Sequence, residues 1–180
     1  MAVEDFPEQL RLVKSFASSV DAETGQDDLD SPAQFGRWLA VHGFPIEREP
    51  TAAELAFAAG LRDALRAELR THHGDEPGDV RARLNSYAGR VPLRAAFGAG
   101  PANLIPAGEG IEAMLGEVIA AMVLAERDGS WPRVKICRED TCQAVFFDQS
   151  KNQSKTWCSM GVCGNRNKTR SYRNRQRVAE

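Results

Sequence analysis

The chain has 180 residues and a mass of 19.7 kDa, enough for one full domain and a small appendage. With 42% hydrophobic and 27% charged residues it is ordinary for a globular protein, and no apolar run approaches the ~20 residues needed to cross a bilayer. A membrane-spanning chain is excluded, as are solenoid and low-complexity classes, for which no repeat or tract is present. The formal net charge of −2 hides an asymmetry: residues 133 to 180 carry 11 Lys and Arg against 4 acids, a net +7, which leaves −9 on residues 1 to 132. All four cysteines fall in the basic part. The N-terminus has Glu4 and Asp5 where a secretory signal has bases, and no apolar segment follows, so the expected location is the cytoplasm.

The acidic part reads as mainly helical. Pro7 can open a first helix with Leu12, Val13, Phe16 and Val20 on one stripe, and the polar stretch 21–30 then reads as a loop. Ser31 before Pro32 suits an N-cap followed by proline at the first helical position, leading into Phe35, Trp38 and Leu39. Thr51 and Glu54 fit a capping box, and Leu55, Ala58, Leu61, Leu65 and Leu69 line a helix that runs to about His72. A short helix around Val80, Leu84 and Tyr87 follows, then a small hairpin formed by 93–97 and 103–105. A last helix over 110–125 puts Ile111, Leu115, Val118, Met122 and Ala125 on one face and ends before Asp128 and Gly129. A linker is expected at 129–132, which divides the chain into a helical domain, 1–130, and a tail, 131–180.

Nothing in the helical part announces catalysis: it has no Gly-rich phosphate loop, no nucleophile elbow and no HExxH pair. His72 and His73 read as a solvated helix end, where imidazolium would suit the dipole. The acids between Glu47 and Glu76 read as a solvated face.

The tail carries the chemistry. Cys137 and Cys142 are separated by four residues, fifteen residues follow, and Cys158 and Cys163 repeat the four-residue gap. Two short pairs brought together supply four thiolates for a tetrahedral Zn²⁺, with no cysteine left over. Disulfides would need an oxidising compartment, and four unrelated core cysteines would not cluster within 27 residues. A redox switch that releases metal on oxidation is a further option. Between the pairs, 144–147 has strand character with 134–136 as its hairpin partner, and Asp148, Ser150 and Asn152 favour a turn.

After Cys163 a basic helix of about 14 residues, roughly 21 Å long, is expected. Arg166, Arg170, Arg173 and Arg177 recur at i, i+4, i+7 and i+11 on one face, with Lys168, Tyr172 and Arg175 on a neighbouring row. Like charges at i,i+4 oppose helix formation, and a polyanion relieves that repulsion. With Lys151, Lys155 and Trp157 on the approach, the surface suits phosphate contact. A solubilising tail is the alternative. Asn165, Arg166 and Asn167 stand where a helix start could reach base edges.

These residues closely resemble the CGNR-type zinc finger, named for the motif that stands here as Cys163-Gly164-Asn165-Arg166; Phe146-Phe147-Asp148, Ser150-Lys151-Asn152, Trp157-Cys158-Ser159-Met160, Lys168, Tyr172 and Arg175 extend the match over about 132–177. In that family the finger follows a helical domain called ABATE, and its members are regarded as candidate stress-related bacterial transcription regulators. Asp28-Leu29-Asp30-Ser31-Pro32 with Trp38-Leu39, and Leu61-Arg62-Asp63-Ala64-Leu65-Arg66, are similar to that domain. Lys14-Ser15-Phe16-Ala17-Ser18-Ser19 departs from its usual Leu-Asp-Phe-x-Asn-Thr. The resemblance implies zinc on Cys137, Cys142, Cys158 and Cys163 and DNA binding through the basic helix.

The sequence is therefore read as a mainly α (α+β) protein: a helical domain with a small hairpin, then a treble-clef-like four-cysteine finger. It is expected to bind DNA in the cytoplasm through Lys151, Lys155, Asn165, Arg166, Lys168, Arg170, Arg173, Arg175 and Arg177, with the helical domain serving a small-molecule effector or a homodimer. The rival is a zinc-stabilised interaction module whose basic helix docks on an acidic partner, including the chain's own acidic domain. An enzyme is disfavoured, because four thiolates leave zinc no open position for water.

Overall fold

The computed structural model describes residues 6–178, with the side chains of Asn174, Arg177 and Val178 outside that description. A 3₁₀ turn, Glu8–Leu10, runs into α1, Arg11–Ala17, and buries Leu10, Val13 and Phe16. The apolar stripe stops a turn earlier than expected. Ser19 Oγ donates to the Phe16 carbonyl at 2.8 Å as the helix ends, and Val20 lies beyond it, bridged to Asp27. The 21–30 segment is a loop, as its composition suggests, held by turns on the Asp21 and Asp27 carboxylates.

Helix α2, Pro32–Val41, starts where Ser31 accepts a hydrogen bond from the Gln34 backbone at 3.3 Å. Helix α3, Ala52–Thr71, has both halves of its capping box: Glu54 N–H donates to Thr51 Oγ1 at 3.2 Å and Thr51 N–H to Glu54 Oε2 at 2.7 Å. Helix α4, Val80–Ala88, packs beside α3 and leads into the antiparallel hairpin β1, Leu93–Ala96, and β2, Asn103–Pro106. Helix α5, Gly110–Asp128, closes on Gly129 in the left-handed conformation at φ 78°.

No free linker follows. Trp131, only 2% exposed, is the first residue of a 3₁₀ turn, Trp131–Arg133, that feeds directly into β3, Val134–Ile136. Strand β3 pairs antiparallel with β4, Val145–Phe147, with Lys135 opposite Phe146. Val134, Ile136 and Val145 join the same apolar core as the helices, while Phe146 forms a small second cluster with Cys137 and Cys163. The hairpin is thus a partition, with the helical core on one face and the sulfur cluster on the other. A single π-type turn, Met160–Gly164, then leads into α6, Asn165–Val178. No described helix is long and apolar enough to cross a membrane.

Candidate metal centre and basic helix

The four cysteine sulfurs lie within 4.8 Å of one another. Cys142 Sγ is 3.7 Å from Cys158 Sγ, which is 3.7 Å from Cys163 Sγ. A tetrahedral zinc with four sulfurs at about 2.3 Å has sulfur–sulfur edges of about 3.8 Å, whereas a disulfide needs about 2.05 Å. The observed spacing fits the metal and not the cystine. Burial and the crowding of neighbouring sulfurs push the Cys163 thiol up to about 11 and raise Cys158 further, so the cluster favours deprotonation only when a cation is present.

Local sequence explains how the cluster is built. Gly164 sits where a Cβ would fall 2.4 Å from Met160 Sδ and 3.2 Å from Trp157 Cδ1, so a larger residue there requires the Met160 side chain to move. Asn165 Nδ2 donates to the Gly161 carbonyl at 3.0 Å, which braces the second Cys pair. Asp148, fully buried, organises the approach. It accepts from Lys135 Nζ at 2.8 Å, Ser150 N–H at 2.9 Å, Ser150 Oγ at 2.6 Å and Lys155 N–H at 2.8 Å. Burial opposes its ionisation, but these donors outweigh that and hold the carboxyl near about 2.

The predicted basic residues separate into two groups. Arg170 is ion-paired to Glu139, a fully buried carboxylate between the first two cysteines, and lies 3.5 Å from Asp140. Burial would raise the Glu139 pKa; the Arg170 and Thr141 hydrogen bonds reverse that and lower it. Arg170 therefore locks α6 to the first Cys pair. Arg166 lies 3.6 Å from Glu23, both exposed, and Lys155 Nζ sits 5.4 Å over the Phe146 ring. Lys151, Lys168, Arg173 and Arg175 are exposed, and none makes an ion pair among the described residues. The Arg177 side chain lies outside the described residues.

Sequence reasoning missed Glu139, Asp148 and Lys135 as structural charges. The available signal was that acids inside so basic a tail are unusual and invite a specific partner. It also misread the end of α3. His72 and His73 are not a solvated terminus: His72 Nδ1 lies 2.7 Å from the Val134 carbonyl and His73 Nε2 lies 2.7 Å from the Ile136 carbonyl. A carbonyl only accepts, so both nitrogens carry protons and donate to β3. Arg66 and Arg70 reach Gln143 at 3.1 and 2.6 Å, and Arg138 pairs with Asp75. Nor are the acids of this helix all solvated, because Glu68 is 2% exposed and paired with Arg81. Local rules read the helix end in isolation; a strand some sixty residues later covers it.

Burial lowers the pKa of both histidines and outweighs the hydrogen bonds that would raise it. The unfolded imidazoles take up protons near 6.5 while the folded ones resist, so stability falls as pH drops below that value. Denaturant midpoints at pH 7.5 and 5.5 should show this drop, and the double variant His72→Asn, His73→Gln, which keeps both donors, should show less of it. An equal drop in the variant removes the histidines as its cause.

The family model described as "Putative stress-induced transcription regulator" (ABATE) matches residues 10–133, and the CGNR zinc finger model matches 133–176. The chain belongs to the ABATE family. No match to a curated protein was found. The ABATE and finger matches meet at Arg133, the last residue of the 3₁₀ turn that joins α5 to β3. Both families are regulatory or zinc-binding in description, and the finger match together with the sulfur cluster supports a structural Zn²⁺.

Proposed function

We propose that this ABATE protein is a DNA-binding regulator built as a helical domain, 1–130, and a zinc finger, 131–180, with Cys137, Cys142, Cys158 and Cys163 as the zinc ligands. When bound, the metal supplies structure: it fixes the two Cys pairs and thereby the first turn of α6. The observation that carries the DNA reading is a helix that leaves the sulfur cluster exposed on nearly every side, clamped at one point by Arg170 and presenting Lys168, Arg173 and Arg175 without acidic partners among the described residues. A helix that is polar all round gains nothing from burial and is suited to a polyanion.

Arg170 is a clamp in this reading and not a phosphate contact, and Asn165 braces the turn. Masking of the helix by the chain's own acidic domain amounts, among the described residues, to the exposed Arg166–Glu23 pair, which is worth too little to hold it closed. The test is fluorescence anisotropy of the zinc-loaded full chain on duplex DNA. For Arg173→Ala with Arg175→Ala, affinity at 0.1 M salt should fall about 50-fold and the slope of log K against log salt should flatten by about 1.8. Unchanged affinity with zinc retained removes α6 from the interface.

A further inference from the structure

Helices α3, α4 and α5 line a half-open cavity of about 320 Å³, within the size range of small-molecule sites. Leu84, Ala88, Met122 and Trp131 give it apolar walls. Glu68 also lines it and is 2% exposed. One carboxylate oxygen, Oε1, pairs with Arg81 at 2.8 Å, and Arg81 continues to Glu126 at 3.0 Å. The other, Oε2, is buried without a partner among the described residues, and so is His72 Nε2, which lies 3.7 Å from Glu68 Oε1. Because His72 Nδ1 donates to Val134, the neutral ring offers at Nε2 only a lone pair. Two buried acceptors thus stand together without a donor, an arrangement that is costly until one arrives.

We infer that this cavity binds a small molecule with an apolar body and a single protonated amine, the ammonium donating to Glu68 Oε2. A cation is favoured over an alcohol because Arg81, the guanidinium paired with the buried Glu68, is itself 56% exposed and shared with Glu126, so its charge is screened by solvent and divided between two carboxylates. The site also has a route to the finger. Trp131 opens the turn that runs into β3, and His72 packs edge-on against it at 5.3 Å while holding the Val134 carbonyl. Naming the amine an effector rests on the DNA-binding reading above; its binding does not.

The test is isothermal titration calorimetry on the zinc-loaded full chain with 2-phenylethylamine, 2-phenylethanol and 3-phenylpropionate. The amine should bind at least tenfold more tightly than the other two. Glu68→Gln should weaken the amine at least tenfold, and Ala88→Phe, which fills the cavity and leaves the carboxylate in place, should abolish binding. No heat from the amine at millimolar concentration, equal affinity for all three, or full affinity in either variant overturns the site. Anisotropy on DNA with and without the amine separates the two readings. A shift of threefold or more supports an effector, and an unchanged affinity overturns the effector role while the calorimetry still stands. Loss of DNA binding altogether, with the amine still bound, counts against the DNA reading alone.

Discussion

Replacing Cys158 with serine is expected to abolish stoichiometric zinc binding and to release α6 while the rest of the chain stays folded. Structural zinc contributes apparent free energies of about 10–16 kcal/mol in isolated fingers, so losing one thiolate of four removes most of what orders the two Cys pairs. The loss is bounded because the hairpin has a second support. Val134, Ile136 and Val145 sit in the helical core, and the His72 and His73 donors hold β3 independently of the metal. Far-UV circular dichroism should therefore fall by no more than the 14 residues of α6, and Trp157 emission should shift toward that of exposed indole while buried Trp131 is unaffected. Collapse of the whole helical signal would mean that the core depends on the metal. An unchanged signal would mean that α6 does not.

Asp148→Asn should be the most damaging single change outside the cysteines. It leaves Lys135, 2% exposed, buried beside a neutral amide, and breaking a buried ion pair from one side costs about 3–5 kcal/mol. Lys135→Met should cost less, because the Asp148 carboxylate keeps its three hydrogen bonds from Ser150 and Lys155. The native contribution has a definite sign with pH. With the folded carboxyl near about 2 and the unfolded one near 3.8, stabilisation is full above the unfolded value and is lost as pH falls through the folded one. Urea midpoints of the two variants and of the double variant measure the coupling, and a Lys135→Met loss as large as that of Asp148→Asn would contradict the assignment. Because Asp148 also ties down the loop leading to Cys158, zinc affinity should fall about 10- to 100-fold in Asp148→Asn.

Much of the fold was legible because its signals are local. The Ser31–Pro32 start and the Thr51 capping box each act within one turn of backbone and stand where the sequence places them, while α5 runs to Asp128, three residues past its expected end, before Gly129 stops it. The Cys pairs were legible for a related reason, since a metal site built from short gaps writes its geometry into spacing. What was not legible depends on partners far along the chain. The periodicity of Arg166, Arg170, Arg173 and Arg177 shows a charged row, but it cannot reveal that Glu139, thirty-one residues before Arg170, takes one member out of the row. Lys135 counts as surface charge in any composition argument, yet it lies in a strand covered on both faces, with Asp148 supplying its counter-charge. His72 and His73 were misread for the same reason, because α3 ends against a hairpin and not in water, and Glu68 because α4 brings Arg81 to it.

As proposed, four thiolates on one metal anchor the basic helix. X-ray absorption at the zinc edge of the protein as purified measures this directly. The expected result is one zinc per chain with four sulfur neighbours at about 2.3 Å and no nitrogen or oxygen in the shell. A mixed shell, an absence of metal in protein with free thiols, or thiols joined as disulfides would contradict it.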